Sequence, residues 1–155
     1  MENDLKYKNK VHRAILIADS ISSVLLLLFL YTSLNKLLDH ELFKNVLLGS
    51  PLLRPVAGVI SWLLPFAEII IAILLFIPSM RLKGLYSSLM LIFLLTIYLA
   101  YMVTFTPNLP CGCGGVLKAL SWPQHIFFNL FFILLSLYGI FLYKKGKYKF
   151  GDPPP

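Results

Sequence analysis

Residues 14–36 read AILIADSISSVLLLLFLYTSLNK, an apolar run preceded by Lys6, Lys8, Lys10 and Arg13. A basic flank ahead of an apolar stretch suits either a cleavable secretory signal or the first span of a membrane protein, and the two lead to different folds. This run outlasts the usual signal core of about 7–15 residues, and no A-x-A site follows it. It reads as a retained signal anchor. About 20 helical residues cross a bilayer, and three further blocks, near residues 56–78, 84–106 and 124–143, are also long enough. The expected fold is all-α: an integral membrane four-helix bundle.

Composition agrees. Of 155 residues, 58% are hydrophobic and 14% charged, whereas soluble domains carry about 25% charged residues. The spans and their connections use nearly the whole chain, which leaves no separate soluble domain. The organisation is a basic N-terminus (1–13), a four-helix domain (14–143) and a basic, proline-ended tail (144–155). Between the first two spans, Glu41–Leu48 reads as a short interfacial helix with Leu42, Phe43, Val46 and Leu47 apolar. It is too short to cross; Asp39 suits its N-cap and Gly49-Ser50-Pro51 its end.

Charge sets the orientation. Lys6, Lys8, Lys10, Arg13, Arg81, Lys83, Lys144, Lys145, Lys147 and Lys149 all fall on one side, ten of the fourteen basic residues. The positive-inside rule then makes both termini cytoplasmic. The expected location is the bacterial cytoplasmic (inner) membrane, with the third connection periplasmic or extracellular. Membrane lipid accounts for the net charge of +7 through anionic headgroups; lysines on short tails do not form the structured patch that nucleic acid requires.

That third connection carries Pro110-Cys111-Gly112-Cys113-Gly114-Gly115, with the only two cysteines of the chain one residue apart. Glycine between them removes the Cβ that would obstruct a small ring. Strained, exposed disulfides tend to be oxidising and labile, hence catalytic or regulatory, and an outward-facing loop lies where disulfides persist. Two other readings stay open: small buried hydrophobes at a helix end, or a soft-metal pair. With His125 the metal reading has three ligands, one short of a closed structural zinc site.

Several polar residues fall inside apolar spans. Glu68 lies about 18 Å along its helix from Val56, where a carboxylate costs on the order of 2.5–3.5 kcal/mol. Protonation, or a partner such as Lys36, would offset that. Pro65 removes a hydrogen bond to the Ser61 carbonyl and should bend the helix. Asp19, one turn and a half beyond Arg13, reads either as a proton or partner site or as an interfacial acid reaching basic neighbours. Ser20, Ser22 and Ser23 would let helices approach closely. Tyr98 and Tyr101 share a face, as belt or pocket residues, and His40 reads as a solvated interfacial residue. The last span starts with Ser121 as N-cap and Pro123 in its first turn. His125, Asn129 and Phe132 continue at helical spacing, so a stripe descends from the cysteine loop into the bundle. An imidazole near a thiol raises its thiolate fraction.

Thiol–disulfide exchange also needs an electron source or sink, and no second cysteine pair or dinucleotide or flavin motif is present. Electrons would pass to a partner protein or to a quinone held between helices, with Trp62, Phe66 and Tyr101 as candidate lining.

The stretch from Tyr31 to Phe43, containing Ser-Leu-Asn-Lys-Leu-Leu-Asp-His-Glu-Leu-Phe, resembles the opening signature of DoxX-like membrane proteins. Pro65-Phe66-Ala67-Glu68, and Pro-Cys-Gly-Cys-Gly-Gly ahead of Ser-Trp-Pro-Gln-His, resemble the MauE branch of that superfamily over roughly residues 12–143. Members often show Cys-Gly-Cys-Phe-Gly; Gly114 replaces the aromatic here, as in a divergent subgroup. The resemblance implies a four-helix membrane protein associated with redox maturation of exported proteins. MauE itself is linked to assembly of the disulfide-rich small subunit of methylamine dehydrogenase, a substrate that nothing in this sequence indicates. Carried over by position, Cys111, Cys113 and His125 are the candidate catalytic residues, with Lys36, Glu68 and Asn129 as buried polar support. The expected partner is an exported or thioredoxin-like protein. The alternative is a non-enzymatic assembly or docking subunit of a membrane complex, with the cysteine loop structural.

Overall fold

The computed structural model describes residues 2–105 and 122–147. Its helices are α1 (Glu2–Leu38), α2 (His40–Gly49), α3 (Ala57–Phe76), α4 (Arg81–Phe105) and α5 (Trp122–Lys147); 3-10 turns at Arg54–Val56 and Pro78–Met80 lead into α3 and α4. Among the described residues there is no strand. Among the described residues four segments are long and apolar enough to cross a membrane: Val11–Leu38, Arg54–Phe76, Pro78–Thr104 and Gln124–Lys145. The chain is an all-α, multi-pass membrane bundle with one short helix between its first two spans.

The spans differ from the expected limits by a few residues, and α1 differs most. It runs for 37 residues, about 55 Å at 1.5 Å per residue, well beyond a hydrocarbon core of about 30 Å. The backbone at Lys6, Lys8 and Lys10 is therefore helical and not a loose tail. Strong helix formers at that end continue the helix started by the apolar run.

α1 and α4 each pack chiefly on α3 and α5, which places α1 diagonally across the bundle from α4. At one end Arg81 of α4 pairs with Asp19 of α1, and the Tyr143 hydroxyl of α5 donates to the Pro78 carbonyl at 3.0 Å. Asp19 therefore meets a basic neighbour, on another helix from Arg13. At the other end the Ser50 hydroxyl, just past α2, lies 3.3 Å from the Met102 sulfur in the last turns of α4.

α2 joins α1 almost without a break. The Asp39 amide donates to the Asn35 carbonyl and the Phe43 amide to the Asp39 carbonyl, each at 3.0 Å. The Asp39 side chain makes no capping bond, contrary to expectation; its backbone, at φ −103° and ψ 41°, departs from the extended conformation that aims an N-cap oxygen at the amides two and three residues on. Gly49 ends α2 and Ser50 is extended, as the Gly-Ser-Pro sequence requires.

Small residues set the closest contacts. Ser22, Ser61, Ser88 and Ser136 are fully buried and return their hydroxyls to carbonyls of their own helices at 2.8–2.9 Å. A polar side chain in an apolar interior is tolerated when so satisfied. Ser20 and Ser23, by contrast, lie on the exposed side of α1. At Gly84 an added Cβ would meet the Leu75 backbone nitrogen of α3 at 2.9 Å, and at Gly139 the Ile21 side chain of α1 at 3.1 Å. Pro65 is buried within α3, which runs on through it to Phe76.

Gly84→Ala should therefore destabilise the bundle despite alanine's better helix propensity, by about 1–3 kcal/mol as an overpacking change. Gly58→Ala, where a Cβ meets nothing within 4 Å, should be neutral or stabilise by up to about 1 kcal/mol. Thermal melts of the two variants in one detergent check this; equal melting temperatures would contradict the close α3–α4 approach.

Candidate functional site

The apolar interior is divided. One cluster, with Leu25, Phe29, Ile71, Leu75, Leu85 and Ile92, joins the four long helices; a smaller one, Phe43, Leu47 and Ala57, joins α2 to α3. Between them lies a cavity of about 530 Å³. Each helix lines it with one face at helical spacing: Phe29, Thr32 and Lys36 of α1, Ile60, Leu64 and Glu68 of α3, Ile92, Leu95 and Tyr98 of α4, and His125, Phe128 and Asn129 of α5. Phe43, Val46 and Leu47 close it from α2.

The polar groups in this wall are few, and two of them form an ion pair. The Lys36 ammonium donates to Glu68 Oε1, tying α1 to α3, with the two side chains 17% and 2% exposed. The same ammonium lies 5.8 Å from the Phe43 ring centroid, within cation–π range. The second carboxylate oxygen, Oε2, is buried and has no hydrogen-bond partner. Thr32 stands close to the carboxylate, but its hydroxyl donates to the Phe29 carbonyl at 3.2 Å. His125 and Asn129, both partly buried, add donors and acceptors to the wall one turn apart.

Four of the residues singled out in the sequence, Lys36, Glu68, His125 and Asn129, thus meet in one cavity. Cys111, Cys113 and the Ser121 cap lie outside the described residues. The helices on either side of their connection both reach the cavity, α4 through Tyr98 and Leu99 and α5 through His125. Among the described residues no group of three or more His, Cys, Asp or Glu side chains gathers as metal ligands.

Other expectations are corrected. Trp62 and Phe66 stack on each other with centroids 6.2 Å apart, on the outer face of α3 and about half exposed. Neither they nor the exposed Tyr101 line the cavity; its aromatic walls are Phe29, Phe43, Tyr98 and Phe128. His40 is not freely solvated. Its ring lies 4.3 Å from that of Trp62, and its Nε2 is buried without a hydrogen-bond partner. The role of α2 as a wall was missed, although its signal, apolar Phe43, Val46 and Leu47 at helical spacing, was present in the sequence.

Breaking the pair from one side should cost far more than removing it whole. Lys36→Met strands a buried carboxylate and should destabilise by about 3–5 kcal/mol, while Lys36→Met with Glu68→Leu should recover most of the loss. Glu68→Gln, which keeps a hydrogen-bonding amide, should fold better than Glu68→Ala. Detergent melts read all four variants; equal stability of Glu68→Gln and Glu68→Ala would mean that the carboxylate reaches water.

No curated protein sequence and no solved structure matches the chain. The family model described as methylamine utilisation protein MauE matches residues 13–142. That match takes in α2, the connection holding the cysteines, the second and third spans, and all but the outer ends of the first and fourth. The chain belongs to the MauE family.

Proposed function

We propose that this protein is a membrane thiol–disulfide redox protein that serves the maturation of exported partners through Cys111 and Cys113. The observation carrying this reading is the meeting of sequence and geometry at one end of the bundle. The connection with the only two cysteines joins two helices whose facing residues border a cavity with Lys36, Glu68, His125 and Asn129 in its wall. Family membership and the spacing of one glycine between the cysteines support it.

In the exchange, a partner thiolate attacks the Cys111–Cys113 disulfide and forms a mixed disulfide. A second partner thiolate displaces it, leaving the partner oxidised and both cysteines reduced. His125 supports the thiolate form of the leaving sulfur. Reoxidation returns two electrons and two protons to an acceptor. The basic residues at the Asp19–Arg81 end favour a cytoplasmic-membrane location with both termini inside and the cysteines outside. The second reading, a docking subunit in which the cysteine loop only shapes a surface, differs in one outcome. Serine at both cysteines would leave its partner binding intact, whereas the redox protein would lose exchange.

A membrane-impermeant maleimide should label reduced Cys111 or Cys113 in cells whose outer membrane has been opened. Labelling only after inner-membrane lysis would reverse the orientation and remove the oxidising compartment. Redox titration of the purified chain should give a potential well above about −300 mV, the range below which structural disulfides lie. A pair as hard to reduce as those would end the exchange reading, and a pair that stays reduced with stoichiometric zinc would replace it with a metal site.

A further inference from the structure

We infer that the cavity is a headgroup site for a lipid-soluble quinol, with Glu68 Oε2 accepting a ring hydroxyl. Three observations converge. First, Oε2 belongs to a side chain only 2% exposed, lines the cavity and has no partner. A buried anionic acceptor without a donor is costly, and a ligand hydroxyl supplies the missing proton in a charge-assisted bond. Second, the rest of the wall is almost wholly apolar and aromatic, which suits a flat ring carried on a hydrocarbon tail, and a volume of about 530 Å³ falls within the range of small-molecule sites. Third, the lining includes Leu52 and Leu94, both about half exposed on the outer surface of the bundle. The cavity therefore reaches the face that meets lipid, the phase in which such a molecule is dissolved.

The polar groups distinguish the two redox forms. Glu68 Oε2 accepts only, so it bonds a quinol hydroxyl and has nothing to receive from a quinone carbonyl. Lys36 keeps two ammonium protons after bonding Oε1, and with His125 and Asn129 it can meet the second ring oxygen in either form. The site should thus hold the quinol more tightly. Tenfold tighter quinol binding raises the potential of the bound two-electron couple by about 30 mV, which favours transfer of electrons to the quinone. Oxidising the two thiols to a disulfide releases two electrons and two protons, and a quinone takes up both to become a quinol. That coupling rests on the thiol–disulfide reading; the binding site does not.

The test is calorimetric titration of the full chain in lipid nanodiscs, without oxygen, with a decyl-chain benzoquinol and with its quinone. One quinol should bind per chain, at least tenfold tighter than the quinone. Lys36→Met with Glu68→Leu should weaken quinol binding at least tenfold and abolish the preference. Should that pair fail to fold, Leu95→Trp fills the cavity and should remove binding of both forms. Asp19→Asn, which breaks the ion pair at the other end, should leave the quinol affinity unchanged. Cys111→Ser with Cys113→Ser should also keep quinol binding while losing exchange, so the two readings fail separately. No quinol binding to the unaltered chain, equal affinity for quinone and quinol, or titrations that Leu95→Trp leaves unchanged, as for simple partition into the bilayer, would each overturn the site.

Discussion

The ion pair between Lys36 and Glu68 is the constraint around which the upper half of the bundle is arranged. A carboxylate two-thirds of the way along an apolar span cannot be hydrated, and moving it out of water costs several kcal/mol even after relaxation. The pair confines that cost by bringing a cation from α1 across to α3, which fixes the distance between those helices. The cavity lies beside the pair, with Phe29 and Leu64 in its wall.

Two ion pairs between helices, Lys36–Glu68 and Asp19–Arg81, illustrate how surroundings decide the meaning of the same chemistry. Asp19 and Arg81 lie at the end rich in lysine, with side chains 36% and 22% exposed. Water screens such a pair, and it contributes about 0–1 kcal/mol; its part is to register α1 against the start of α4. Near it, Gly84 and Gly139 bring backbones close to Leu75 and Ile21. That half is tightly packed. Among the described residues the Lys36–Glu68 half shows no such glycine contact, and there a cavity separates the main apolar cluster from the one that joins α2 to α3. Rigid packing at one end and an open wall at the other fit a scaffold that holds a site without closing on it.

Much of this was legible in the sequence, for identifiable reasons. Span length and apolar content fix four crossing helices because the bilayer imposes a minimum length. Glu68 announced itself because a buried charge demands a partner, and Lys36 was the cation available at a helix end. What stayed hidden were contacts set by rotation about helix axes and by which helices are neighbours. Asp19 and Arg13 are six residues apart, a turn of about 240°, so they point to different sides and Asp19 meets Arg81 instead. Tyr98 and Tyr101 differ by about 60°, enough to put one in the cavity wall and the other outside it. Trp62 precedes Glu68 by the same six residues, which sends the aromatic stack outward. The apolar face of α2 was legible as Phe43, Val46 and Leu47 at helical spacing, but not the surface that this face covers, which is set by tertiary packing.

The pair also explains why a site in this position can be electrically neutral and still discriminate. A lone carboxylate in low dielectric would take up a proton or a cation, and a lone lysine would lose its proton. Together they cancel at a distance, yet at contact range they present a donor and an acceptor a few ångströms apart. Lys36 uses one proton on Oε1, so the remaining capacity is asymmetric: protons on the nitrogen side and a bare oxygen on the carboxylate side. A neutral ring that offers one hydroxyl to the bare oxygen and a second oxygen to the ammonium gains from both without bringing charge into the membrane. Ions and zwitterionic headgroups would have to shed their hydration for little return, so the same arrangement that stabilises the bundle also selects the class of molecule that its cavity admits.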